Sequence, residues 1–314
     1  GSGTPMLGRA EGTACRRRSE VLLKPWNKGI GLLLAGLLLL PGGVLPRTAW
    51  AGAPAAASFR AALSPRMQKI GKIIQGAGPA QVYFTDLATN QSLYRGSSTL
   101  PSASMIKVFI LARAYEDLRN GSLSRKETFT LTPENVVGGA GVLQGRPYGT
   151  KVPLQEALDL MITESDNTAA NLLIDRLGMD RINSYLQSHG YSHSVLRRKM
   201  MDTKAMEEGR ENMTSTRDVA LLFKRLYRGN CVGPAQDREM LEIYKRQTDN
   251  DSIPGDLPQG TVVAHKTGEV SDVRHDGGIV YTPKGAYVLV IFTRNYTPYE
   301  TMAGLSEKIY QVKW

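Results

Sequence analysis

The sequence predicts an α/β (α+β) fold in which an antiparallel sheet flanked by helices is joined to an all-helical domain. Three observations predict it. Apolar residues alternate with period two in segments near both ends, at Gln81–Asp86, Ser92–Arg95, Thr261–His265, Gly277–Thr282 and Ala286–Thr293. Between them, from Ser102 to about Tyr227, the period is mostly helical. Helical stretches also lie outside the strands at each end, over Ala55–Gln75 and Thr301–Val312.

The elements follow from local chemistry. Phe59, Leu63, Met67, Ile70, Ile73 and Ile74 form one helical face, which Gly76 and Gly78 end. Val82 and Phe84 point to one side of a strand, and Ala88-Thr89-Asn90 turns the chain into its hairpin partner. Helices are expected over Met105–Leu118, Leu154–Ile162, Thr168–Leu177, Met179–Ser188 and Arg217–Tyr227. The first and last segments share one sheet in this reading. It gives a discontinuous α/β part over residues 55–100 and 228–314, a helical part over 101–227, and a cleft between them.

Residues 1–51 read as an address. Arg16, Arg17, Arg18, Lys24 and Lys28 lead into an apolar run from Gly29 to Leu40. Its 12 residues rise only ~18 Å as a helix, short of the ~30 Å hydrocarbon core. Pro41-Gly42-Gly43 breaks the run, and Ala49-Trp50-Ala51 has the small-x-small form of a signal-peptidase site. The expectation is a removed signal peptide and a secreted or periplasmic protein without a stable membrane span, the alternative being a retained short anchor. The Arg17-Arg18 pair resembles a twin-arginine signal, but Glu20 stands where an apolar residue is wanted.

Charge and composition exclude several functions. The chain carries 39 Lys and Arg against 29 acids, a net +10. Residues 1–51 hold seven of those bases and two of those acids, so the rest carries a surplus of only five. That argues against a nucleic-acid partner. Two cysteines and four scattered histidines provide no zinc module and no HExxH pair, so no cofactor or metal is expected. Cys231, alone once the signal is removed, reads as a small buried hydrophobe in a loop.

Three short motifs carry chemistry. Ser104-Met105-Ile106-Lys107 is the only Ser-x-x-Lys in the chain and opens an apolar helix. Residues three apart share a helix face, so Lys107 can approach Ser104, and a lysine desolvated among apolar side chains can serve as its base. Ser165-Asp166-Asn167 lies between two helical segments and reads either as a hydroxyl and amide for catalysis or as a helix cap. Lys266-Thr267-Gly268 follows the strand-like Val262-Val263-Ala264. On an edge strand it presents a cation, a hydroxyl and a bare backbone, or else a strand end with a solvated lysine.

The order and contexts of these motifs match the SxxK, SDN and KTG set of active-site-serine penicillin-recognising enzymes. With Ile162–Leu173, and with spacings of 61 residues from Ser104 to Ser165 and 101 from Ser165 to Lys266, residues 55–314 resemble class A β-lactamases. The resemblance implies a β-lactamase/transpeptidase-like fold, a monomer, and β-lactams or D-Ala-D-Ala peptides as partners. It implies catalytic roles for Ser104 as nucleophile, Lys107 as base, Ser165 as proton relay and Lys266 as its electrostatic aid. Substrate-binding roles fall to Asn167, Thr267, Gly268 and Glu269, the Glu269 and Ser104 N–H groups forming an oxyanion hole. Arg274 is a further carboxylate contact or simply a solvated strand charge.

One departure matters. Class A β-lactamases carry a glutamate that activates the deacylating water. Here that place, aligned on Arg197-Arg198 and on Met213–Thr216, falls on or near Met200. Asp202, Glu207 and Glu208 are the acids left to fill it. A positioned general base contributes about 10²–10⁴-fold, so acylation without prompt release is expected. The implied function is a secreted serine hydrolase that opens β-lactams, slowly if Met200 holds that place. The alternatives are a penicillin-binding D-Ala-D-Ala carboxypeptidase, as in small penicillin-binding proteins of class A shape, and an acylation-only sensor.

Overall fold

The computed structural model describes residues 62–313. The expected export segment, Cys15 included, lies outside the described residues, as do the first seven residues of the helix expected over 55–75.

The described chain opens on α1 (Pro65–Gln75), where Ser64 accepts the Met67 N–H at 3.2 Å and Pro65 occupies the first turn. A hairpin of β1 (Gln81–Asp86) and β2 (Ser92–Arg95) follows, then the two-residue β3 (Leu100–Pro101). A 3₁₀ turn at Ala103–Ile106 runs directly into α2 (Lys107–Asn120), ended by Gly121 in the left-handed conformation. The helical middle comprises α3 (Leu154–Thr163), α4 (Asn167–Leu177) and α5 (Met179–Ser188), preceded by the small ribbon of β4 (Thr128–Thr130) and β5 (Lys151–Pro153). Short α6 (Thr203–Glu207) and β6 (Met213–Thr214) lead to α7 (Thr216–Arg228) and α8 (Pro234–Tyr244). Strands β7 (Val263–Val270), β8 (Val273–Thr282) and β9 (Gly285–Thr293) and helix α9 (Tyr299–Lys313) complete the chain.

The main sheet has the order β2-β1-β9-β8-β7, and its pairings are antiparallel. β1 pairs with β9 from Gln81↔Phe292 to Asp86↔Tyr287, so the first and last strands of the chain lie side by side. Both faces of the sheet are covered. Val82, Phe84, Tyr287, Leu289 and Ile291 pack with Met67, Ile70 and Ile74 of α1 and Met302 and Ile309 of α9. On the other face Val288, Val290 and Phe292 join the core of the central helices, among them Phe109, Leu158, Leu173 and Phe223. Two-sided burial explains the nearly unbroken apolar run of β9. Each such side chain contributes about 1.5–3 kcal/mol of transfer free energy.

β7 occupies the free edge of this sheet, and the 3₁₀ turn at Ala103–Ile106 packs along it. A Cβ on Gly268 would lie 3.1 Å from the backbone nitrogens of both Ser104 and Met105. The missing side chain therefore sets how closely the KTG strand meets the Ser-x-x-Lys turn.

Candidate active site

Lys107 is the first residue of α2 and is wholly buried. Its Nζ reaches Ser165 O at 2.6 Å, Asn167 Oδ1 at 2.8 Å and Ser165 Oγ at 3.1 Å. Lys266, equally buried on β7, approaches the same hydroxyl at 3.0 Å and also bonds Thr267 O at 2.6 Å. One hydroxyl thus lies between two buried amines. Burial holds Lys107 well below the usual lysine range; the charge of Lys266 adds to the effect and Asp166 opposes it. Burial likewise draws Lys266 down to about 7, against the opposing carboxylates of Asp249 and Asp276.

Local backbone geometry presents Ser165 to both lysines. α3 ends at Thr163 with Glu164 as its C-cap, and Ser165 takes a positive φ of 52° before α4 begins, a conformation costing about 1–3 kcal/mol that its surroundings must offset. Asp166 caps α4, its Oδ1 accepting the Ala169 N–H at 2.9 Å. Its Oδ2 accepts from Val142 N at 2.7 Å and Leu143 N at 2.9 Å. Asn167 donates its backbone N–H to Ala140 O at 3.1 Å and its side-chain amide to Gly138 O at 3.2 Å. From the sequence Asp166 is expected as a helix cap alone. It is also the anchor of the 138–143 loop, and the Gly138-Gly139-Ala140-Gly141 run was the available sign. At Gly141, with φ +117°, a Cβ would fall 2.3 Å from Asp166 Cγ.

Ser104 sits in the 3₁₀ turn and opens onto a cleft of about 220 Å³. Its walls include Gly139, Asn167, Met200, Met201, Met206 and Glu269. The Ser104 hydroxyl makes no hydrogen bond to a described residue, and the Lys107 amine is turned to Ser165 and Asn167. Thr267 is 8% exposed and pairs with Asp276 across the ladder. Arg274 pairs with Glu269. Its guanidinium bonds Thr297 O at 3.1 Å and lies over the Tyr299 ring at 4.7 Å, while Tyr299 donates to the Glu269 carboxylate. Arg274 is therefore held by Thr297 and by Tyr299 at the start of α9, beside Glu269 at 3.7 Å, and its bonds among the described residues do not reach Lys107, Ser165 or Lys266.

Met200, 6% exposed, lines the cleft from a loop whose base is closed by Arg198–Glu211 at 2.7 Å. None of the three nearby acids lines that cleft. Asp202 caps α6 through the Ala205 N–H at 3.0 Å, Glu207 ends that helix, and Glu208 pairs with Arg210 at 2.8 Å. Cys231 is set in the loop before α8, and burial pushes its thiol up to about 12. His275 donates to Pro101 O at 3.0 Å and stacks on Phe292, and burial lowers it to about 4. Among the described residues no cluster of metal-ligating side chains occurs, and no helix is long and apolar enough to cross a membrane.

Residues 63–312 match the profile of the β-lactamase enzyme family. A β-lactamase of Streptomyces cellulosae is 31% identical over 290 residues, covering 88% of this chain and 89% of its own. The solved structure of PBP-A is 32% identical with a TM-score of 0.71, covering 80% of this chain and 96% of its own. A point mutant of PBP-A, solved as an acyl-enzyme complex with penicillin G, is 31% identical with a TM-score of 0.71, over 79% and 96% of the two chains.

Proposed function

We propose that this chain, which belongs to the β-lactamase enzyme family, is an exported serine hydrolase that β-lactams acylate at Ser104 and that releases the acyl group slowly. The observation that carries this reading is the convergence of Lys107 and Lys266 on Ser165 beside the Ser104 cleft.

Each step has a residue to perform it. Ser104 Oγ attacks the lactam carbonyl carbon, and its proton passes to the Lys107 amine, directly or through Ser165. Desolvation keeps that amine available as a base. The oxyanion lies against the N–H groups of Ser104 and Glu269, donors worth about 3 kcal/mol each. Collapse breaks the carbon–nitrogen bond while Ser165 delivers a proton to the leaving nitrogen, with Lys266 stabilising the charge. Asn167 orients the substrate amide and the Lys107 amine. Thr267 contacts the substrate carboxylate, Gly268 leaves room for its backbone, and Arg274 contributes only if it leaves Tyr299.

Release of the ester requires a water and a base. Met200 supports slow release because a thioether can neither accept a proton from water nor hold the water by charge. The same observation, with the likeness to PBP-A, favours a second reading: a D-Ala-D-Ala carboxypeptidase of the penicillin-binding type. Mixing the protein with a chromogenic cephalosporin while following colour and intact mass tests the slow release on which both readings rest. One burst with a retained adduct supports slow release, continuous turnover contradicts it, and absence of any adduct defeats the mechanism.

A further inference from the structure

Behind Lys266, on the strand that carries it, His265 is 0% exposed. Its Nδ1 lies 2.8 Å from Asp276 Oδ1 and its Nε2 lies 2.9 Å from Asn250 Oδ1. The Asp276 carboxylate also accepts the Gly277 N–H at 2.8 Å and the Ile253 N–H at 2.9 Å. Two backbone N–H donors on a buried carboxylate fit its ionised, acceptor-only form, so the Nδ1 that faces it carries a proton. The Asn250 amide is fixed by its other end, where Nδ2 donates to Gln247 O at 2.9 Å. Turning it over would set two oxygens against each other. Asn250 therefore offers an oxygen to Nε2, and Nε2 carries a proton too. A ring that donates through both nitrogens is an imidazolium.

The groups joined by this ring lead to both sides of the reacting centre. Asn250 belongs to the segment 247–250 that follows α8. There Gln247 Nε2 donates to Ile162 O at 3.0 Å, and the Thr248 N–H and hydroxyl donate to Thr163 O at 3.1 and 2.9 Å. The segment is thus fastened to the end of α3, two residues before Ser165. Its other attachments are to His265, the residue before Lys266: Asn250 Oδ1 meets the ring, and Gln247 Nε2 lies 3.5 Å from His265 O. The loop of contacts closes where Lys266 Nζ meets Ser165 Oγ at 3.0 Å. The charged group that meets the ring is Asp276 from β8; across the strand, the carboxylates of Asp249 and Asp276 oppose the loss of charge from Lys266.

We propose that His265 is a buried imidazolium, ion-paired to Asp276, that acts as a positioning residue: through Asn250 it fixes Lys266 against Ser165. The kinetic consequence rests on the serine-acylation reading above; the protonation and placement do not.

The test uses the full chain with nitrogen-15-labelled histidine and lysine, and three samples: wild type, Asn250→Ala and His265→Gln. Asn250 is exposed, so its truncation removes the contact to the ring while leaving the buried ion pair and the Gln247–His265 backbone contact in place. In the wild type at neutral pH, NMR is expected to show two protonated nitrogens in the ring whose signal vanishes in His265→Gln; a bare nitrogen overturns the proposal. In Asn250→Ala the Lys266 Nζ signal is expected to move. The rate of acylation by a fluorescent penicillin should fall about 10- to 100-fold, the scale of a misplaced catalytic group, with little change in Tm. An unmoved Lys266 signal overturns the positioning role whether or not the protein reacts with penicillin. An unchanged acylation rate overturns it as well. A wild type that takes up no penicillin defeats the hydrolase reading instead and leaves the NMR outcomes decisive.

Discussion

Asn171 holds Met200 by both ends of its side-chain amide: Oδ1 accepts the Met200 N–H at 2.7 Å and Nδ2 donates to the Met200 carbonyl at 3.0 Å. This grip fixes the backbone of position 200 while the thioether lines the Ser104 cleft.

A carboxylate built onto that fixed backbone would enter the same cleft. Met200→Glu is expected to shorten the lifetime of the acyl adduct by about 10²–10⁴-fold, the contribution of a positioned general base. Acylation should change little. Intact mass against time measures the first effect, and an adduct lifetime equal to the wild type would count against the assigned place of Met200.

The two lysines predict opposite limbs of a pH profile. Lys107 works as the free amine, so acylation rises with pH as Lys107 loses its proton below the usual lysine range. Lys266 works as the cation, so acylation falls as pH passes through about 7. Lys266→Arg, charged at all these pH values, should move the falling limb to higher pH even where the maximum rate drops. Stopped-flow acylation across pH reads both limbs, and an alkaline limb unmoved in Lys266→Arg would reassign it.

Asp166→Ala removes the cap of α4 and the acceptor for two loop N–H groups together. The expected loss is about 2–3 kcal/mol, or about 5–10 °C in Tm for a chain of this size. Calorimetry checks it; a Tm within a degree of wild type would show that the 138–143 loop is held by other contacts.

Gly268→Ala sets a methyl 3.1 Å from the backbone nitrogens of Ser104 and Met105. Overpacking of this kind costs about 1–3 kcal/mol, and here it pushes the nucleophile's turn off the strand edge. Acylation should slow about tenfold or more in a protein that remains folded by circular dichroism.

Much of this was legible in one sequence because the chemistry is local. Ser104 and Lys107 are one helical turn apart, and Ser165 sits at a helix junction marked by its own cap residues. The strand ends were less legible. Alternation predicts a strand over Thr261–His265 and leaves Lys266-Thr267-Gly268 as an edge strand or a strand end; β7 runs on to Val270, since these polar residues show their pairing only against β8. β8 was read from Gly277 but begins at Val273, for the same reason. The His265–Asp276 contact joins residues 11 apart and arises from ladder register, which periodicity cannot reveal. α8 went unread because its buried residues crowd into Met240, Leu241, Ile243 and Tyr244. Arg274 is expected as a cleft cation or a solvated charge; its stacking on Tyr299 depends on the start of α9, 25 residues away.

The most direct test is where a β-lactam attaches. After incubation with penicillin G, proteolysis and mass mapping should locate a single adduct on the peptide containing Ser104, persisting for many times the acylation half-time, and Ser104→Ala should carry none. An adduct on any other peptide, or one that survives Ser104→Ala, would contradict the assignment of Ser104 as the nucleophile.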